Sequence, residues 1–232
     1  EAIGVDELIY YMFSDRHRQK PDPDRRYDRI YIGGDYGQQN ATTFEAFGLD
    51  TYRKKFPGLG EYYHSGRESG RQKSPSEYAR DLVEFMDELH EQYENRIFYI
   101  FLDPSAKGLA EEVKRATRTG LDYQVLLRDA ENDVALGISR VQKALVFDIM
   151  SISPKQEYAV QEFGTYEYDK KSIEKGKEVP VKEADHCMDA IRYVVMGAWS
   201  KIKHWLPKDE TPEEIDICDI SSREVREEDE YL

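Results

Sequence analysis

Residues 27–47, YDRIYIGGDYGQQNATTFEAF, constrain the fold more than any other stretch. Ile30 and Ile32 alternate with Arg29 and Tyr31, the period of a half-buried strand. The strand ends at Gly33-Gly34, then Asp35, then Gly37-Gln38-Gln39-Asn40, which has the composition of a turn. Thr42, Thr43, Phe44 and Phe47 supply the β-branched and aromatic residues of a returning strand. Asp35 therefore closes a central strand beside glycines that let another group approach its backbone. Burying a carboxylate there is costly unless a cation or hydrogen bonds compensate it. Asp35 is a candidate ligand; the other reading is an aspartate that closes a turn.

The remaining chain reads as a mixed α/β domain. An amphipathic helix is expected over residues 3–16, followed by a charged, proline-containing linker to residue 26. Phe56-Pro57-Gly58-Leu59-Gly60 reads as a turn and Glu61–Ser65 as a third strand. Ser74-Pro75-Ser76-Glu77 is a helix start, and the helix runs to about Gln92. RIFYIFLD, residues 96–103, is an apolar run suited to a central strand covered on both faces, and it too ends in a carboxylate, Asp103. A helix opened by Pro104 and a strand over residues 121–127 follow. Helices are expected from Asn132 and from Pro154, with a short strand over residues 145–149 between them. Residues 164–184 are aromatic, then Lys/Glu-rich, and read as a β-hairpin or flap. A strong helix runs from Asp185, and the chain beyond Pro207 is acidic and poorly patterned, expected to be disordered or loosely docked.

Net charge is −14, from 33 Lys/Arg and 47 Asp/Glu, which argues against a generally basic nucleic-acid binder. The charge is uneven: residues 201–232 carry 5 Lys/Arg and 11 Asp/Glu, and basic clusters such as Arg67, Arg71 and Lys73 lie elsewhere. Such clusters suit a phosphate backbone or, equally, a solvated mixed-charge surface. No apolar run approaches the ~20 residues of a membrane span, and there is no basic-then-apolar leader. Cys187 and Cys218 form no CxxC and no disulfide framework, so a reducing compartment is expected. The first residue is Glu1, so the chain is expected to be cut from something longer.

Three acids sit at the ends of elements expected to be central. If the strands that end at Asp35 and Asp103 are parallel neighbours, both carboxylates emerge on one edge of the sheet. Asp189 lies near the start of the closing helix, one turn from Asp185 and three residues from His186, all on one helical face. Asp185 also suits a helix N-cap. Converging carboxylates repel one another unless cations join them, and hard oxygen ligands suit Mg²⁺ or Mn²⁺ rather than zinc. Two such ions activate water and stabilise the leaving oxygen of a phosphodiester, with His186 as a proton shuttle or phosphate contact. No GxGxxG, GxxxxGK[ST] or GxSxG is present.

Four segments, IGGDYGQQNATTF, IFLDPSAKGLAEEVKR, DAENDVALGISRVQKAL and DHCMDAIRYVVMGAW, together resemble the nuclease domain of the large terminase subunit of tailed bacteriophages. The resemblance covers residues 27–200 and implies an RNase H-like fold: an antiparallel three-strand meander plus parallel strands, flanked by helices, with an accessory β-hairpin at 164–184. It implies metal-dependent cleavage of double-stranded DNA during packaging of a concatemeric genome. By position, Asp35, Asp103 and Asp189 resemble the acidic metal ligands, Asp185 is the candidate fourth carboxylate, and His186 matches a histidine of some members. Residues 1–26 then correspond to the tail of a preceding ATPase motor or its linker, and 201–232 to an acidic tail. Implied partners are that ATPase domain, the small terminase subunit and the portal, in the cytoplasm of an infected bacterium and away from membranes. The competing readings are an actin- or sugar-kinase-like ATPase domain and a docking module whose acids merely stabilise loops.

Overall fold

The computed structural model describes residues 8–37 and 41–207. Gln38–Asn40 of the first turn, Cys218 and the acidic stretch beyond 207 lie outside the described residues. Strands β1 (Arg29–Tyr36), β2 (Ala41–Leu49) and β3 (Phe56–Ser65) form an antiparallel meander. β4 (Ile97–Leu102) runs parallel to β1, β5 (Gln124–Asp129) parallel to β4, and the short β6 (Met150–Ser151) parallel to β3. The sheet order is β5-β4-β1-β2-β3-β6, a mixed sheet as the sequence implied. This is the RNase H-like arrangement.

Helices cover both faces. α2 (Pro75–Tyr93) starts at a capping box in which Ser74 and Glu77 satisfy each other's backbone N–H groups. Its stripe of Tyr78, Leu82, Phe85, Met86 and Leu89 packs with α3 (Lys107–Ala116) on Ile30, Ile32, Phe44, Phe98 and Ile100. Each such side chain contributes roughly 1.5–3 kcal/mol by burial. The other face holds Tyr31, Phe47 and Phe101 beneath α4 (Val134–Val146), α5 (Glu157–Phe163) and α7 (His186–Ile202). β1 is thus buried on both faces, with Tyr31 only 4% exposed, rather than half-buried. Two one-turn helices, α1 (Gly66–Ser69) and α6 (Lys170–Ile173), complete the α-helices among the described residues.

Four expectations need correction. Phe56–Gly60 is not a turn but the first half of β3: Phe56 and Leu59 are buried, and the register shifts at Ala46/Phe47 where this half pairs. Gly58 is there because a Cβ would lie 1.8 Å from the Gln156 Oε1. Within the expected 3–16 helix, residues 8–14 form a turn and an irregular stretch that lead into a 3₁₀ helix, Asp15–His17, while residues 3–7 lie outside the described residues. The Ile9 N–H donates to the Tyr166 carbonyl, and Tyr10 packs on Phe163 and Tyr166, so tertiary contacts override the helical period. Residues 164–184 form no β-ladder. The two arms meet at a single antiparallel bridge, Tyr168–Pro180, and the apex is α6, capped by Asp169. The stretch has few apolar groups to hold a hairpin, and Ile173 and Val179 are exposed. Finally, the helices expected from Asn132 and Pro154 begin at Val134 and Glu157, and residues 145–149 hold no strand: Leu145 and Val146 end α4, and the short strand β6 follows at Met150–Ser151.

Candidate active site

The register of β1 and β4 creates the site. The two are parallel neighbours, with Gly34 opposite Leu102, so the next residue of each, Asp35 and Asp103, leaves the same edge of the sheet. Ligands gather at such carboxyl ends in open α/β sheets. α7 crosses this edge in backbone contact with β1. A Cβ on Gly33 would lie 2.0 Å from the Ala190 carbonyl oxygen, so only glycine lets the helix sit this low. The crossing brings His186 to Asp35, with Asp185 and Asp189 near enough to act on its charge, and Tyr193 to Asp103. The hydroxyl of Tyr193, one turn after Asp189, feels Asp189, Asp35 and Asp103 together, and its pKa is raised by burial and by all three.

Each side chain has defined partners. His186 Nδ1 lies 2.7 Å from Asp35 Oδ2. That hydrogen bond raises the His186 pKa against the effect of burial. Burial pushes the Asp35 carboxyl above the ordinary range, and Asp189 and Asp185 add to this against the pull of His186. Asp103 accepts from the Ser105 N–H at 2.7 Å, from Asn132 Nδ2 at 3.0 Å and from the Tyr193 hydroxyl at 3.0 Å. Burial opposes its charge, but the Ser105 and Tyr193 hydrogen bonds and the Arg192 guanidinium outweigh it and hold the pKa low. Asp189 accepts from Arg192 Nη2 at 2.6 Å. Arg192 is fully buried, and Gly137 on α4 leaves room for its stem.

Asp185 is 7% exposed, and its Oδ2 has no hydrogen-bond partner. Burial raises its pKa, followed by repulsion from Asp189. The Lys182 ammonium stands 3.6 Å from Asp185 Oδ2 and 3.6 Å from Asp189 Oδ2. A buried carboxylate oxygen without a hydrogen bond, and a lysine cation placed between two aspartates, fit a place for positive charge such as a hard divalent ion. Asp185 and Asp189, which share Lys182, and Asp35 beside them are the acids that could hold such an ion, with Asp103 on the neighbouring strand end; among the described residues no three of them bring ligand atoms within 4.8 Å of one another. Beside them a cleft of about 460 Å³ is lined by Tyr63, Arg67, Lys182, Asp185 and His186, among others.

A second acidic group must be weighed. Among the described residues, Glu45, Glu61 and Cys187 are the ligand-type side chains whose ligand atoms all lie within 4.8 Å of one another. Their polar atoms are already committed. Glu45 accepts from Gln156 Nε2 at 2.8 Å, and Glu61 accepts from the Tyr158 and Ala159 N–H groups at 3.0 and 2.8 Å. Burial raises the pKa of both acids and of the Cys187 thiol, which favours their protonated, mutually hydrogen-bonded forms. It reads as an internal hydrogen-bond network under α7.

Sequence reasoning missed several members of the site. Arg192 and Tyr193 stand three and four residues after Asp189, a helical spacing that marks them as neighbours of that acid. Asn132 lay within a segment already singled out. Lys182 lies in a loop whose path the sequence does not specify. Most of the basic clusters prove to be paired: Arg25 with Asp50, Arg53 with Asp22, Arg71 with Glu77, Lys73 with Asp81. They form a mixed-charge surface.

The same architecture recurs in solved structures. The large terminase of the thermophilic bacteriophage D6E, in complex with ATP-γ-S, superposes with a TM-score of 0.70 at 33% identity, over 82% of this chain and 45% of that one. The nuclease domain of the P22 large terminase superposes with a TM-score of 0.62 at 16% identity, over 83% of this chain and 92% of that domain. The chain has the fold of a large terminase nuclease domain. The large terminase nuclease of thermophilic phage G20c, solved with bound cobalt, shares that fold with a TM-score of 0.53 at 17% identity, over 82% of this chain and 96% of that one. The chain spans a little under half the length of the D6E large terminase. No protein-family model matches the chain, and no curated protein matches its sequence. No helix among the described residues is long and apolar enough to cross a membrane.

Proposed function

We propose that this chain is a divalent-metal-dependent endonuclease that hydrolyses phosphodiester bonds of double-stranded DNA, cutting concatemers during viral genome packaging. The observation that carries the reading is the placing of Asp35, Asp103, Asp185 and Asp189 at one sheet edge, with Asp185 Oδ2 buried and without a hydrogen bond and Lys182 set between two of the acids. Mg²⁺ or Mn²⁺, two ions by this reading, would lower the pKa of the attacking water and offset charge on the leaving oxygen. The chain's own residues supply the rest. Asp103 is held ionised and oriented by Ser105, Asn132 and Tyr193. His186, its Nδ1 fixed by Asp35, exchanges a proton at its other ring nitrogen. Arg67 and Lys182 line the adjoining cleft and meet the phosphate backbone. Contacts of this kind read backbone rather than bases and give little sequence preference.

The likeness to the D6E large terminase, which covers less than half of that protein, supports placing this chain beside an ATPase domain of the same polypeptide. In this reading residues 27–200 are the nuclease, 1–26 the connection to the motor, and 201–232 an acidic tail that contacts the portal. The small terminase subunit is the other partner, and the host cytoplasm is the place of work. The test is digestion of supercoiled plasmid by this chain with Mg²⁺, Mn²⁺ or EDTA, alongside Asp35→Ala and Asp189→Ala. Metal-dependent nicking or linearisation that both variants lose is the expected result. Full cleavage by folded Asp35→Ala protein removes the catalytic assignment.

A further inference from the structure

Helix α7 begins without a side-chain cap of its own. Asp185 occupies the N-cap position, yet its side chain makes no cap hydrogen bond. An aspartate at that position normally accepts from the second or third N–H of the helix. Here those are the N–H groups of Cys187 and Met188, and both are taken by another element. Glu162, near the end of α5, accepts from Cys187 N at 2.8 Å and Met188 N at 3.1 Å through the same oxygen, Oε2. Glu162 is 6% exposed. α5 is anchored in the same way, because Glu61 of β3 accepts from the Tyr158 and Ala159 N–H groups at its start. The sheet thus holds α5, and α5 holds the start of α7.

Two acceptors compete for one pair of donors, and the winner decides where the loser points. We infer that Glu162 is a positioning residue: it caps α7 from α5 and so releases the Asp185 carboxylate to serve as a cation ligand beside Asp189. The Asp185 Oδ2, which makes no hydrogen bond and stands 3.6 Å from the Lys182 ammonium, is the visible result. Without Glu162, the Asp185 side chain folds back onto the vacated N–H groups and leaves the cation site. This inference rests on the metal-site reading above.

The test is Mn²⁺ binding measured by calorimetry without DNA, on wild-type chain, Glu162→Ala, Glu162→Gln, Asp185→Asn and the double variant Glu162→Ala/Asp185→Asn. Folding of each is checked by its melting curve. Loss of a residue that orients a ligand typically weakens metal binding about 10- to 100-fold. Glu162→Ala is therefore expected to raise Kd at least tenfold. Glu162→Gln, which keeps an acceptor oxygen, stays within about twofold of wild type. Asp185→Asn weakens binding in the wild-type background and adds little in the Glu162→Ala background. Folded Glu162→Ala with a wild-type Kd overturns the inference and leaves the metal site standing. Absence of Mn²⁺ binding by the wild-type chain overturns the metal-site reading and this inference with it. If Glu162→Ala does not fold, Asp185→Ala decides: an unchanged melting temperature supports a side chain that caps nothing, and a fall of several degrees overturns the inference.

Discussion

The low crossing of α7 over β1 is what brings Asp189 to Asp35, and it depends on one missing methyl group. In Gly33→Ala the new Cβ would lie 2.0 Å from the Ala190 carbonyl oxygen, 2.7 Å from Val194 Cγ2 and 2.9 Å from the Ala190 carbonyl carbon. Two of these atoms are α7 backbone, which no rotamer change removes. Restoring ordinary contact at 3.4 Å requires α7 to retreat by about 1.4 Å. Overpacking of this kind costs roughly 1–3 kcal/mol, and a backbone obstacle places it at the upper end. At ~2–4 °C per kcal/mol for a chain of this size, the melting temperature should fall by roughly 6–12 °C. Metal sites tolerate departures of only about 0.2 Å, so the retreat should also weaken Mn²⁺ binding at least about tenfold. Gly48→Ala is the control. Its Cβ would meet the Tyr27 ring at 2.5 Å, at the end of β2 paired with the start of β1, so it should lower stability without changing Mn²⁺ affinity. The assays are calorimetric melting and Mn²⁺ titration of the three proteins. Gly33→Ala with wild-type melting and wild-type Mn²⁺ affinity refutes the account of how the helix places Asp189.

Other outcomes follow from individual contacts. Arg192→Met leaves the Asp189 carboxylate buried without its guanidinium partner, which should cost about 3–5 kcal/mol in a urea titration, and saturating Mn²⁺ should recover part of it. Lys182→Ala removes the ammonium between Asp185 and Asp189, so Mn²⁺ should bind several-fold more tightly by calorimetry, with melting nearly unchanged because the lysine side chain is mostly exposed. Burial drives the Glu162 pKa from 4.5 up to about 8, against its hydrogen bonds from Cys187 and Met188. The folded state then keeps a proton that the unfolded chain releases, so stability should fall as pH rises from about 4.5 through 8. Glu162→Gln should flatten that dependence in urea titrations across the range.

The strand-end acids were legible because a strand's apolar run has a visible end, and Asp35 and Asp103 stand at two such ends. That the strands are parallel neighbours, with α7 laid over them, was a condition that the β1–β4 register meets. Glycine misled once and informed once. Gly33 marked a close approach, while Gly58 and Gly60 suggested a turn inside what is β3, because composition does not tell a bend from a crowded neighbour. Residues 8–16 have a helical apolar period, yet Ile9 and Tyr10 are fixed by Tyr166 and Phe163, more than 150 positions away in the chain. Glu162 carried no signal at all. Its importance lies in two N–H groups presented by a helix that begins 24 residues later.

The central claim is that the four aspartates, rather than the Glu45–Glu61–Cys187 group, form the metal centre. Crystals of this chain soaked in Mn²⁺ and measured at the manganese absorption edge test it directly. The account predicts anomalous peaks within coordination distance of Asp35 and Asp103 on one side and Asp189 on the other, with Asp185 turned toward them. A peak at Glu45, Glu61 and Cys187, with none at the aspartates, would contradict it.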